Sequence, residues 1–141
     1  MFETRSLGRG QVLSRLARNA RVRASLDAED ACLLARFAEL SPPNRDGIRV
    51  ADGAAEEIAI ETQVSPRVAL AKLLQAQEMV NRLPATLAAL EAGDIDADRT
   101  ATMTKQTAVL SDDQAQWVEQ RVLERGPRAE GRSSVLSSPP T

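Results

Sequence analysis

Apolar residues recur at helical spacing through the centre of the chain. From residue 69 to residue 83 they step by four, three, four and three positions, at Ala69, Leu73, Ala76, Val80 and Leu83. This is the period of one face of an α-helix, and Leu70, Leu74 and Met79 widen the stripe. Ser65 followed by Pro66 is typical of a helix start. The pattern predicts a central helix with a broad buried face.

Two further helices are predicted before it. Residues 5–24 carry Leu13, Leu16, Ala17 and Ala20 at helical spacing among arginines. A separate helix is predicted from Leu26 to Leu40, with acidic residues near its start, where the helix dipole favours them. Leu33, Phe37 and Leu40 are expected to form its buried face. The SPPNRDG stretch, residues 41–47, ends this helix in a loop.

Short helices fill the rest of the chain. Asp52 is expected to cap one that includes Ile58 and Ala59. Proline inside a helix costs about 3 kcal/mol relative to alanine, so Pro84 indicates a boundary rather than a kink. One helix therefore ends near Arg82, and the next begins at Pro84 and closes at Gly93.

Two more helix starts follow. Asp96 or Asp98 opens a helix to about Leu110, and Ser111 with Gln114 forms a capping box for the last one. The sequence thus predicts an all-α protein: a single helical bundle-like domain of about five to seven helices. It spans residues 26–126, after an arginine-rich segment at residues 1–25. Residues 127–141 are rich in Gly, Ser and Pro and are predicted to be a disordered tail.

The composition indicates the cellular compartment of the protein. The chain of 141 residues holds one cysteine, Cys32, which excludes an intramolecular disulfide and is expected to be a buried thiol in a reducing compartment. No stretch resembles a membrane span or a secretory signal, so no membrane partner and a cytoplasmic location are expected.

Charge is distributed unevenly along the chain. Residues 1–25 contain six arginines and one glutamate, 6 − 1 = +5, and the remainder contains 12 basic and 19 acidic residues, 12 − 19 = −7. The arginines are Arg5, Arg9, Arg15, Arg18, Arg21 and Arg23. They indicate either a segment that seeks nucleic acid or a solvated helix face that docks on the acidic remainder of the domain.

The stretch from Glu56 to Met103 resembles the actinobacterial 13E12 repeat family, whose shared N-terminal region is known as domain of unknown function 222. The matching elements are Ile58-Ala59, Ser65-Pro66-Arg67, RLPATLAAL at residues 82–90, Ala92-Gly93 and LSDDQAQWVEQRVLERG at residues 110–126. Full-length members of that family carry a C-terminal HNH endonuclease domain that depends on histidines, whereas this sequence contains none. The resemblance therefore implies a shortened, non-enzymatic relative of a mobile-element-associated family.

No catalytic or metal-binding constellation is expected. Without histidine there is no Ser-His-Asp triad and no histidine-containing zinc site. Asp94, Asp96 and Asp98 lack the glycine of a calcium loop, so helix capping explains them better. No cofactor or small-molecule substrate is indicated, because no glycine-rich phosphate loop is present.

One segment of the sequence indicates a binding function. Residues 56–74 resemble a helix-turn-helix, with Ala59 in the first helix and Val64-Ser65 at the turn. Arg67 and Lys72 near the start of the second helix are the candidate DNA contacts, together with the arginines of residues 1–25. Two alternatives stay open: a protein–protein module that self-associates through alanine-rich faces, and a gene remnant without selected function.

Overall fold

The computed structural model describes residues 1–43 and 50–125. These residues form six helices and no strand, which confirms the all-α prediction. The helices are α1 (Arg9–Leu40), α2 (Ala54–Thr62), α3 (Pro66–Arg82), α4 (Pro84–Ala92), α5 (Ala97–Thr107) and α6 (Asp112–Glu124). The segment assigned above to a disordered tail, residues 127–141, lies outside the described residues, and so do residues 44–49 of the loop after α1.

Helix α1 is continuous where the sequence predicts two helices. It runs for 32 residues, which at 1.5 Å per residue is about 48 Å. No proline or glycine stands between residues 11 and 41, so nothing in the backbone interrupts it. Asp27, Glu29 and Asp30 therefore lie in the middle of a helix rather than in a first turn, and that expectation is wrong.

The buried face of α1 also differs from the predicted one. Ala24, Ala28, Ala31 and Ala35 are buried, whereas Leu33 and Leu40 are 57% and 65% exposed and Phe37 is half-buried. Small side chains let the backbone of α1 approach α3 and α4 closely, and this displaces the leucines from the interface. Cys32 is exposed, so the prediction of a buried thiol is wrong.

Helix α3 is the centre of the bundle and contacts all five other helices. The main cluster joins its Ala76 and Met79 to the alanines of α1, and Leu83 and Leu90 are buried in the same cluster. The other buried members are Ile95, Met103, Ala115 and Val118. Val80, predicted to be part of the stripe, is only half-buried.

Pro84 does separate two helices. Leu83 ends α3 and precedes α4, and its buried apolar side chain makes no capping hydrogen bond. The acceptor comes from α6 instead: Glu119 Oε2 accepts a hydrogen bond from the Thr86 backbone N–H at 2.6 Å, and Glu119 is 1% exposed. A carboxylate thus satisfies an N–H in the first turn of α4, where the helix dipole also favours negative charge.

Arg82 holds the same junction from the other side. Its guanidinium lies 2.8 Å from Glu78 Oε2 and 2.8 Å from Asp112 Oδ1, and it donates to the carbonyls of Thr107 and Leu110. Hydrogen bonds to Asp112 and Glu78 raise the pKa of Arg82 above its ordinary value. The end of α3 is therefore fixed to the turn between α5 and α6.

Gly93 closes α4 in the left-handed conformation, with φ 81°. A Cβ atom at this position would lie 2.8 Å from Cγ and 3.1 Å from Cα of Arg21, so α1 passes directly over this turn. The caps at Asp96 and Ser111 follow prediction, since the Asp96 carboxylate accepts from Arg99 N and Ser111 forms a capping box with Gln114. Helix α5, however, ends at Thr107 rather than at Leu110.

Candidate nucleic-acid interface

Helices α2 and α3 form the predicted helix-turn-helix-like hairpin, with a three-residue turn between Thr62 and Pro66. Gln63 takes the left-handed conformation, φ 57°, at the position where a turn glycine is common. The backbone N–H of Val64 donates to Ala59 O at 3.2 Å, which closes α2 in a Schellman-type end. The missing glycine is therefore accommodated by glutamine in the same backbone geometry.

The first helix of this hairpin begins differently from expectation. Gly53, with φ 84°, is its N-cap residue, so the assignment of Asp52 as cap is wrong. A glycine takes that left-handed conformation without the strain that a Cβ atom would bring. Glu56 and Glu57 occupy the first turn of this helix.

A small apolar cluster holds the two helices together. Ala55 and Ala59 of α2 pack with Ala69 of α3, which is 0% exposed, and Ile58 and Val64 cover them. At the start of α3, Ser65 Oγ accepts a hydrogen bond from Val68 N at 3.2 Å. The first turn of α3 is thus fixed by a cap and by its contact with α2.

The two candidate contacts on α3 point in different directions. Arg67 and Lys72 are both exposed and are five residues apart, which corresponds to about 140° around the helix. Arg67 stands in the first turn of α3, whereas Lys72 borders the same groove as Asp27 of α1. Of the two, only Arg67 lies at the exposed end of the hairpin.

Asp27, Asp30, Glu57 and Glu61 line the same groove as Lys72. Partial burial and repulsion from Asp30 raise the pKa of Asp27, and the nearby Lys72 partly opposes that rise. On the α2 side, Glu56, Glu57 and Glu61 are exposed. The ammonium group of Lys72 is therefore already near carboxylates that would repel a phosphate.

The arginines lie on the first half of α1, which we call the basic half (Arg9–Arg23). Arg5 precedes the helix, and the other five arginines stand on it, all of them exposed. Within residues 1–43 and 50–125 none of the six forms an ion pair, and the first buried side chain of the chain is Ala24. Towards the N-terminus from Arg21, which passes over Gly93, the basic half thus projects from the bundle as a helix instead of docking along it.

A groove beside the hairpin was missed from the sequence. It has a volume of about 1050 Å³ and lies between the second half of α1 and the hairpin. Apolar side chains, among them Phe37, Ile58 and Ile60, line it together with Asp30 and Glu61. The signal was available in Leu33, Phe37 and Leu40, which are too large to pack where the alanines of α1 do.

Two kinds of feature, a metal-binding group and a membrane-spanning helix, are absent from the described parts of the chain. Residues 1–43 and 50–125 contain no group of three or more cysteine, aspartate and glutamate side chains placed to hold a metal ion. In the same ranges no helix combines the length and the hydropathy that crossing a bilayer requires.

These features define an all-α bundle that presents a helix-turn-helix-like hairpin and a projecting basic helix. The chain belongs to the family described as Domain of unknown function (DUF222), whose model matches residues 13–132. The match begins inside the basic half of α1, before the domain boundary expected at residue 26. Neither the comparison with curated proteins nor that with solved structures finds a match.

Proposed function

We propose that this protein is a non-enzymatic DNA-binding protein. The observation that supports the proposal is the capped hairpin of α2 and α3, which presents Arg67 in the exposed first turn of its second helix. In helix-turn-helix proteins the residues at this end of the second helix contact base edges in the major groove. Arg67 would donate to a guanine edge or to a phosphate there.

Phosphate contacts would come mainly from the basic half of α1. Helix α2 carries three exposed glutamates, and Lys72 lies near Asp27, so the hairpin alone has little positive charge. The five arginines from Arg9 to Arg23 are exposed and without ion pairs in the described residues, so they are available to neutralise phosphates. Neutralised phosphates supply most non-specific affinity for duplex DNA.

The salt dependence of binding separates the two contributions. Each phosphate contact adds about 0.9 to the slope of log K against log salt concentration. A variant with Arg9, Arg15 and Arg18 changed to Gln should lower that slope by about 2 to 3. Arg67→Ala should lower it by at most about 1 while weakening binding at every salt concentration. Fluorescence anisotropy with a labelled duplex would measure both.

Lys105→Ala is the matched control, because Lys105 is an exposed cation on α5, outside the hairpin and the basic half. It should bind like the wild type. Absence of binding by the wild-type protein even at low salt would refute the proposal. Equal loss in the Arg67→Ala and Lys105→Ala variants would show that only overall charge matters and that the hairpin makes no specific contact.

The non-enzymatic part of the proposal has a separate test. The sequence contains no histidine, so the histidine ligands and base of an HNH centre have no counterpart in it. Plasmid DNA incubated with the protein and Mg²⁺, Mn²⁺ or Zn²⁺ should stay intact. Cleavage activity that follows the protein through every purification step would contradict this expectation.

A further inference from the structure

Helix α1 has a second apolar face besides the one formed by its buried alanines. Val22, Leu26, Leu33 and Leu40 are 51%, 54%, 57% and 65% exposed. A seven-residue step advances a helix by nearly two full turns, so Leu26, Leu33 and Leu40 lie close to one line. That line is on the side of α1 roughly opposite the buried alanines. We call it the outer face of α1.

Charge is divided sharply between the two halves of the same helix. The basic half, residues 9–23, contains five arginines and no acidic residue, a net of +5. The second half, residues 24–40, contains Asp27, Glu29, Asp30 and Glu39 against Arg36, so 1 − 4 = −3. Arg36 already pairs with Glu39 at 2.9 Å, which leaves the acidic group of residues 27–30 facing solvent or Lys72.

We propose that the outer face of α1 binds the same helix of a second copy of this chain in antiparallel orientation. The pairing would be centred near residue 24, where the sign of the charge changes. Val22 and Leu26 of each copy would then pack together at the centre. Arg18 of one copy would then lie opposite Glu29 and Asp30 of the other, with Arg15 about one helical turn away.

A second copy suits this face because the helix is complementary to itself only when reversed. Parallel pairing would put arginines opposite arginines, whereas antiparallel pairing puts each half opposite the other sign. Apolar residues along one line, flanked by charges that select the partner's orientation, are typical of paired helices. Leu33 and Leu40 also border the groove, whereas Val22 and Leu26 lie apart from it and serve this face alone.

The first experiment measures mass as a function of concentration, without DNA, by analytical ultracentrifugation. The wild-type chain should shift from monomer to dimer across a roughly hundredfold range of concentration. Leu26→Glu should weaken the dimer at least about tenfold, because it puts a charge at the centre of the contact. Val109→Glu is the control: Val109 is apolar and 92% exposed, but it lies in the turn between α5 and α6.

Circular dichroism should show both variants fully helical, since each change is on the surface. A wild-type chain that stays monomeric at all concentrations would overturn the proposal. So would a dimer that tolerates Leu26→Glu, or one that Val109→Glu disrupts equally. Because the measurement contains no DNA, its result is independent of the function proposed above.

Charge reversal tests the orientation of the pair. Changing Arg15 and Arg18 to Glu should weaken the dimer about tenfold or more, because carboxylates would then oppose carboxylates. Adding Glu29→Arg and Asp30→Arg to the same chain should restore wild-type affinity. Failure of this rescue would show that the two groups do not face each other.

The single cysteine provides a distance measurement. Cys32 is exposed and is the only cysteine, so one spin label attaches there without mutation. In an antiparallel pair centred near residue 24, the two labelled positions lie about 24 Å apart along the helix axis. A parallel pair would bring them to about 10 Å, the spacing of packed helices. Pulsed EPR distances that fit only the parallel arrangement would overturn the proposal.

Discussion

The Pro84 junction and the basic half of α1 are opposite cases of how a helix is specified. At the junction a chain with strong helical periodicity is broken, and the break is fixed by the buried Leu83 and by Arg82 and Glu119. In the basic half the chain stays helical without a single buried side chain. The interruption is thus supported by tertiary contacts, whereas the helix before Arg21 is supported mainly by its own backbone hydrogen bonds.

This contrast explains what the RLPATLAAL sequence at residues 82–90 does in the structure. Arg82 ties the end of α3 to the turn before α6, and Pro84 starts α4 where its missing N–H is not needed. Thr86 presents its backbone N–H to Glu119, and Leu83 and Leu90 enter the core. The stretch builds a corner of the bundle, and its side chains are used in packing and hydrogen bonding.

Removing the carboxylate at the junction should have the largest effect. Glu119→Ala leaves the Thr86 N–H buried without its acceptor and empties a buried volume, so we expect a loss of about 2 to 4 kcal/mol in the free energy of unfolding. Glu119→Gln keeps an oxygen acceptor and should lose less. Urea denaturation measures both, and equal losses would contradict the assigned role of the hydrogen bond.

A smaller effect is expected where the two regions meet. Gly93→Ala forces a left-handed residue to carry a Cβ, which would also lie within 3.1 Å of the Arg21 Cα. We expect a loss of about 1 to 3 kcal/mol in the free energy of unfolding. Gly10→Ala is the matched control, since a Cβ at Gly10 meets nothing within 4 Å. A tolerated Gly93→Ala would mean that α1 does not cross this turn closely.

The smallest effect belongs to the basic half. Leu16 is 55% exposed, and leucine and alanine have similar helix propensities, so Leu16→Ala should change the free energy of unfolding by less than about 0.5 kcal/mol. Urea denaturation at low concentration, where the chain is monomeric, is the measurement. A loss above about 1 kcal/mol would show that this half packs against the bundle after all.

Signals that act over a few residues could be predicted from the sequence. The caps at Ser65, Asp96 and Ser111 and the break at Pro84 depend on hydrogen bonds within three or four positions, and all are found. The buried face of α1 could not be predicted from hydrophobicity. Alanine gains little from burial itself but permits close helix contact, so the alanines outcompete Leu33 and Leu40 at the interface.

In the candidate site, too, local features could be predicted from the sequence and long-range contacts could not. The positions of α2, the turn and the start of α3 follow from local pattern, including a turn that Gln63 makes without glycine. The surroundings of Lys72 depend on Asp27, which is 45 residues away in sequence, and no local pattern reports that contact. Glu119 carried a weak signal, since it lies beside Ala115 and Val118 at positions that face the core.

The turn at Gly93, over which α1 passes, supports the helix at Arg21. Between this turn and the N-terminus, α1 is held mainly by its own backbone hydrogen bonds. Isolated helices of about 12 to 15 residues are only marginally stable in water. Amide hydrogens of the basic half should therefore exchange with solvent by local fraying, whereas those around Ala28 should exchange only when the bundle opens. Any partner that binds the basic half would first convert a fraying helix into a rigid one, and slower amide exchange at residues 9–20 would report that binding directly.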